Sequence, residues 1–251
     1  LTEAEPALRP ATGILLAAHG DGGTDPRDLT IRRLAEGLAA RIPLPVAWAT
    51  LKRPETFARA RDRLVAAGVA PAGLVVMPLF MAEGWFVRRR LPTLLAEHGL
   101  AAARVLPALG LDPGLPALLG RRITELRAAH AEAGAAARLV LVAHGSGSGD
   151  TSNRRNAEAI AATLAATTGS APTLAFIEEA PRWDEVIGAD GPEIVVGLFV
   201  SAGTHALDDV ATRVAASPSV LAHLPAIGED DAVLDLVAGT IARFRADSTT
   251  P

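Results

Sequence analysis

A chain of 251 residues without a single cysteine has no disulfide, no thiolate metal site and no cysteine nucleophile. With 49% hydrophobic residues it can fill a sizeable core, and a formal net charge of -4 argues against a general nucleic-acid role. No apolar run approaches the roughly 20 residues that a membrane helix needs, and the opening LTEAEPALRPATG lacks a basic start followed by a greasy run, so a cytoplasmic protein without membrane contact is expected.

The run ILLAA at 14–18, ended by His-Gly, predicts a strand buried on both faces, as in a parallel sheet. Apolar residues at helical spacing over 28–42 predict a helix that crosses a face of the sheet. LPVAWAT at 44–50 reads as a second strand, 54–68 as a second helix and GLVVMPLF at 73–80 as a third strand. A helix follows in FVRRRLPTLLAEHG at 86–99, and 104–109 reads as a short fourth strand. The order then starts again. LVLVA at 139–143 matches the first strand, 153–167 the first helix, TLAFIEE at 173–179 the second strand and 181–190 a shorter second helix. EIVVGLF at 193–199, the helix at 205–217 and a short strand at 223–227 complete the second set.

The repetition extends to detail. GILLAAHGDGG at 13–23 answers RLVLVAHGSGSG at 138–149, and VLPALGLDPGLPALLGRRI at 105–123 answers HLPAIGEDDAVLDLVAGTI at 223–241. The chain is therefore read as an α/β protein of two tandem repeats, 1–133 and 134–251, joined near HAEAGAAA at 130–137. Each repeat is expected to be a three-layer αβα unit on a mostly parallel four-stranded sheet. The two would be related by a pseudo-twofold axis with a cleft between them, a monomer that is internally a pseudo-dimer. Ligands of such sheets bind beyond the carboxyl ends of the strands, where both His-Gly turns fall.

Two imidazoles of the second repeat end strands there: His144 after the first and His205 after the third. Imidazole binds divalent iron, cobalt, nickel or zinc and is a base near neutral pH. Glu178 and Glu179 end the strand between them, and adjacent strand residues point to opposite faces, so one of the two faces the site. Glu178 is the preferred member. The bland alternative for each histidine is a turn or packing residue. The first repeat keeps His19 but sets Phe86 where the second has His205, Trp85 where it has Thr204, and TLK at 50–52 where it has IEE. Trp85 and Phe86 supply either an apolar wall to the cleft or packing between the halves. Arg88, Arg89 and Arg90, and likewise Arg154 and Arg155, are either solvated helix starts or guanidinium forks for substrate carboxylates. Ser146 and Ser148 lie near His144 but have no acidic orienter that would mark a serine hydrolase. The turn HGSGSGDTSNRRN has no Gly-Lys-Ser/Thr and is not a phosphate loop. His98, His130 and His223 are expected on the surface.

LVLVAHGSGSGD, AFIEEAP and GLFVSAGTHALDDV resemble the class II tetrapyrrole chelatases of the sirohydrochlorin cobaltochelatase and ferrochelatase type, once per repeat over nearly the whole chain. The resemblance implies metal-binding roles for His144 and His205, a mid-strand glutamate at Glu178, and Asp209 as the acidic residue after the second histidine. It also implies that His19 matches the first histidine in a repeat whose site is degenerate. Departures from the family pattern are Gly197 and Ala211, where prolines are usual, and an intact set in the carboxyl-terminal repeat. The activity implied is ATP-independent insertion of a divalent metal, Co²⁺ first and Fe²⁺ or Ni²⁺ next, into sirohydrochlorin or a related tetrapyrrole. The metal is then substrate, with no prosthetic group. Arg88, Arg89, Arg90, Trp85, Phe86 and Ser146 would bind the ring. A metal or tetrapyrrole carrier without turnover is the alternative.

Overall fold

The computed structural model describes residues 11–20, 28–201 and 205–247, without the side chains of 205–207 and 247. Two four-stranded sheets account for its framework. The first contains β1 (Gly13–Ala18), β2 (Val46–Thr50), β3 (Leu74–Leu79) and β4 (Arg104–Val105) in the order β2-β1-β3-β4. The second contains β5 (Arg138–Ala143), β6 (Thr173–Phe176), β7 (Glu193–Gly197) and β8 (Val220–Leu224) in the order β6-β5-β7-β8. Every pairing within them is parallel. The helices are α1 (Leu29–Ala39), α2 (Glu55–Ala66), α3 (Leu91–Glu97), α4 (Leu115–Ala128), α5 (Ala131–Ala136), α6 (Ser152–Thr168), α7 (Trp183–Val186), α8 (His205–Ala215) and α9 (Ala232–Asp247).

Strand alternation decides where each face is buried. Leu15 and Ala17 of β1 turn to an outer cluster with Phe57, Leu64, Leu91 and Leu94. Val140 and Val142 of β5 do the same in an outer cluster with Ile187 and Val210. Their neighbours Ile14, Leu16, Leu139 and Leu141 face inward and join one central core shared by both repeats. The repeats thus fold as halves of one body. The two sheets fall on either side of residue 133, but the helices do not: α4 packs on α6 and β7 of the second half, and α9 on α1 of the first.

The two helices α4 and α9 go beyond the elements expected from the sequence, and so does α5 at the expected joint. The short fourth strands also differ from expectation. Leu106 still donates its amide to the Val76 carbonyl at 2.9 Å, but Pro107 has no amide to continue the ladder and Pro225 ends β8 in the same way. The helix expected from 86 begins instead with a π-helical turn, Phe86–Arg90, before α3 takes over with Pro92 in its first turn.

Matched aspartates hold the exchanged helices. Asp112 accepts from the amide of Gly114 at 2.8 Å and ties to Arg243 of α9 at 2.8 Å and to the hydroxyl of Thr240. Asp230 accepts from the amide of Ala232 at 2.9 Å and pairs with Arg122 of α4 at 2.5 Å. Gly110 and Gly228 precede them by the same two residues, and a Cβ on either would collide with a backbone carbonyl, of Met81 or of Val200. Asn156 of α6 donates to the carbonyls of Met81 at 2.5 Å and Gly110 at 2.9 Å. These contacts fix the strand-three turn of the first half against the second half, which positions the cleft.

Candidate active site

The cleft lies at the carboxyl ends of β1, β3, β5, β6 and β7 and has a volume of about 520 Å³. Its walls come from both halves: His19, Phe80, Trp85 and Phe86 from the first, His144, Ser146, Glu178 and Phe199 from the second, among others. His19 follows the last residue of β1 and His144 the last of β5, so pseudosymmetry makes them counterparts.

Glu178 comes to His144 through the backbone. Its amide, two residues past the end of β6, donates to the His144 carbonyl at 3.0 Å. Its Oε2 lies 3.9 Å from Nδ1 of His144 and accepts from the Gly147 amide at 3.1 Å. Both side chains are about half exposed, 55% for His144 and 48% for Glu178. A carboxylate and an imidazole at that separation can share a cation without touching each other, and solvent exposure keeps the cost of binding and release low.

Glu179 turns the other way. Its Oε2 receives Nε of Arg154 at 3.0 Å and a second guanidinium nitrogen at 2.9 Å, and the same guanidinium lies 4.2 Å over the Phe176 ring. Arg154 is therefore occupied by its own half. The turn between strand and helix is set by Gly145, at a φ of 70°, whose amide donates to Oδ1 of Asn153 at 2.9 Å. Ser146 lines the cleft with its hydroxyl 2.9 Å from that of Ser148.

On the opposite wall Trp85 and Phe86 are among the most exposed large apolar residues, at 58% and 43%. Their rings meet edge to face at 5.3 Å, and Phe86 meets His19 in the same manner at 4.8 Å. The loop that carries them is latched to the second half. The Trp85 amide donates to Oδ2 of Asp150 at 3.3 Å, while Oδ1 takes the Ser152 amide at 2.8 Å. The Ser152 amide and hydroxyl first, then the Trp85 amide and the Arg88 guanidinium, hold the Asp150 carboxyl below its usual range. Nothing in the sequence singles out Asp150 except its place after the Gly-Ser-Gly turn.

Arg88, Arg89 and Arg90 occupy the π-helical turn and are not among the residues lining the cleft. His205 starts α8, as Phe86 starts the π-helical turn, but its side chain lies outside the described residues. Among the described residues no group of three potential ligands is assembled. His98, His130 and His223 are partly buried at the surface; His98 stacks on Phe57 at 5.9 Å, and burial lowers the His223 pKa. None of the three lines the cleft.

One correspondence needs correction. Matching IEE to TLK sets Glu178 against Leu51 and Glu179 against Lys52. The backbone bonds give the register one residue later. Leu51 donates to Ala18 at 2.9 Å as Ile177 does to Ala143 at 3.0 Å, and Lys52 donates to His19 at 3.0 Å as Glu178 does to His144. Lys52 is thus the counterpart of Glu178, and Arg53 that of Glu179. A one-residue slip reverses faces, so the difference matters. His19 stays neutral more readily than an ordinary histidine: burial lowers its pKa first, and the fields of Lys52 and His144 add to this.

The sequence pattern of the CbiX family matches residues 13–126 and again 138–243. The chain belongs to the CbiX family. Among solved structures it resembles CbiX described as the terminal enzyme for biosynthesis of siroheme in denitrifying bacteria, at 34% identity and a TM-score of 0.78, over 92% of this chain and 98% of that one. The fold also matches SirB from Bacillus subtilis with Fe³⁺, at 18% identity and a TM-score of 0.73, over 95% of this chain and 97% of that one. A third match is the sirohydrochlorin chelatase SirB from Bacillus subtilis subspecies spizizenii in complex with cobalt, at 18% identity, a TM-score of 0.67 and the same coverage. No curated protein sequence matches significantly. The two CbiX matches along the chain coincide with the two sheets, so the duplication seen in the motifs is a duplication of the family's domain.

Proposed function

We propose that this CbiX-family protein inserts a divalent metal ion into sirohydrochlorin without ATP, at the His144–Glu178 side of the cleft. The observation that carries the reading is the pairing of Nδ1 of His144 with Oε2 of Glu178 at 3.9 Å, on one wall of a cleft whose other wall is aromatic. It is supported by the 34% identity to CbiX of siroheme biosynthesis over nearly the whole chain.

The metal is substrate here. In the proposal His144, Glu178 and His205 receive it through nitrogen and oxygen donors, with no thiolate to retain it. Insertion must also remove two pyrrole N–H protons from the ring. A neutral imidazole or a carboxylate beside the macrocycle accepts such protons, and both types stand at this wall. Trp85 and Phe86 offer the apolar surface on which a flat ring rests, and Ser146 adds a hydroxyl at the rim. Arg88, Arg89 and Arg90 serve in this reading only carboxylates that project beyond the cleft. Co²⁺ is the metal proposed first, with Fe²⁺ and Ni²⁺ next. A cytoplasmic monomer belongs to the same proposal, the monomer because one chain supplies both walls.

The test is the absorbance change of sirohydrochlorin on mixing with the protein and Co²⁺, Fe²⁺ or Ni²⁺ in the absence of ATP. Protein-dependent insertion of at least one metal is expected. Binding of ring or metal without any acceleration of insertion would assign the protein to carriage instead.

A further inference from the structure

The two halves carry opposite charges at the same two positions. At the end of β6 stand Glu178 and Glu179; at the end of β2 their counterparts are Lys52 and Arg53. In each pair the second residue is neutralised within its own half. Glu179 is held by Arg154, and Arg53 forms an ion pair with the buried Asp28. In each pair the first residue is left beside the histidine of the cleft. Glu178 is half exposed next to His144. Lys52 is exposed, and among the described residues no carboxylate pairs with it. Lys52 is not itself a lining residue, but its stem stands next to one: a Cβ placed on Gly20, which lines the cleft, would lie 3.3 Å from Cβ of Lys52.

We propose that Lys52 is an anion-recognition residue that receives a carboxylate of the macrocycle at the position where the second half presents Glu178 to the metal. The inference rests on the chelatase reading and adds to it a polarity across the cleft. A carboxylate-bearing ring and a free cation have opposite electrostatic needs. A symmetric cleft with two glutamates would repel the ring's carboxylates on both sides, and one with two lysines would repel the metal. A cationic first half and an anionic second half satisfy both.

The experiment measures binding of metal-free uroporphyrin, a carboxylate-rich ring, by fluorescence quenching, with mesoporphyrin as a carboxylate-poor ring and Co²⁺ alone as a third ligand. Lys52→Met should weaken uroporphyrin binding roughly fivefold, consistent with one exposed charge contact. Lys52→Arg should stay near wild type, and Lys52→Glu should lose more than Lys52→Met. Added salt should weaken the wild type more than Lys52→Met, because screening acts on the contact that the variant lacks. Mesoporphyrin binding should change less, and the Co²⁺ affinity of Lys52→Met should not fall. Uroporphyrin binding unchanged in Lys52→Met, or equal losses with both rings, would overturn the assignment. So would a loss in Lys52→Arg as large as in Lys52→Met. A wild-type protein with no affinity for either ring would overturn the chelatase reading and this inference with it.

Discussion

Oε2 of Glu178 stands 3.9 Å from Nδ1 of His144 although 34 positions separate the residues in the chain. What joins them is the parallel pairing of β5 with β6, which continues past both strands as the Glu178 amide reaches the His144 carbonyl at 3.0 Å. The next residue, Glu179, points to the opposite side and is fixed there by Arg154.

That alternation separates the two glutamates experimentally. Glu178→Gln should lower the insertion rate by about 100-fold, the usual scale for losing a positioned acid–base group, with little change in melting temperature. Glu179→Gln should reverse the pattern. It weakens the bond to Arg154 and should cost about 1–2 kcal/mol of stability, while insertion persists. Steady-state rates and urea titrations of both variants check this.

Asp150 serves the aromatic side of the cleft. Its carboxylate takes the Trp85 amide at 3.3 Å and so holds the aromatic wall against the second half. Asp150→Ala should raise the KM for the tetrapyrrole by about three- to tenfold, as expected when a binding surface is misplaced. Co²⁺ affinity, measured by calorimetry, should stay as in the wild type.

Stability should depend on pH through His19 and His223, whose pKa values are both lowered from 6.5, first by burial. The folded protein then binds fewer protons than the unfolded chain in this range. Their contribution is complete above pH 6.5 and is lost as the pH falls through that value towards the lower folded pKa values. Denaturant midpoints from about pH 5 to about pH 8 should therefore rise and then level off, and His223→Gln should reduce the rise.

Much of this arrangement was legible in the sequence, for identifiable reasons. Continuous apolar runs such as LVLVA are strands with two buried faces, and β1, β2, β3, β5, β6 and β7 fall where such runs occur, while β8 begins three residues before its expected start. The duplicated His-Gly turns place His19 and His144, and side alternation says that only one of Glu178 and Glu179 faces the cleft, without saying which. The helices α4 and α9 were harder to see, because their apolar faces are completed by the opposite half and their pattern has meaning only once the halves are packed. The counterpart of Glu178 was misplaced by one residue, since TLK and IEE share no chemistry that fixes a register; the backbone bonds of Leu51 and Lys52 do. The latch at Asp150 joins residues 65 apart in sequence through a main-chain amide, and a main-chain donor leaves no mark in the sequence.

The central claim is that metal insertion takes place on the second half's wall. The most direct measurement is the initial rate of ATP-free Co²⁺ insertion into sirohydrochlorin by His144→Ala beside His19→Ala. The account predicts a loss of at least about 100-fold for His144→Ala and less than about tenfold for His19→Ala. Equal losses in the two variants, or a larger loss in His19→Ala, would contradict it.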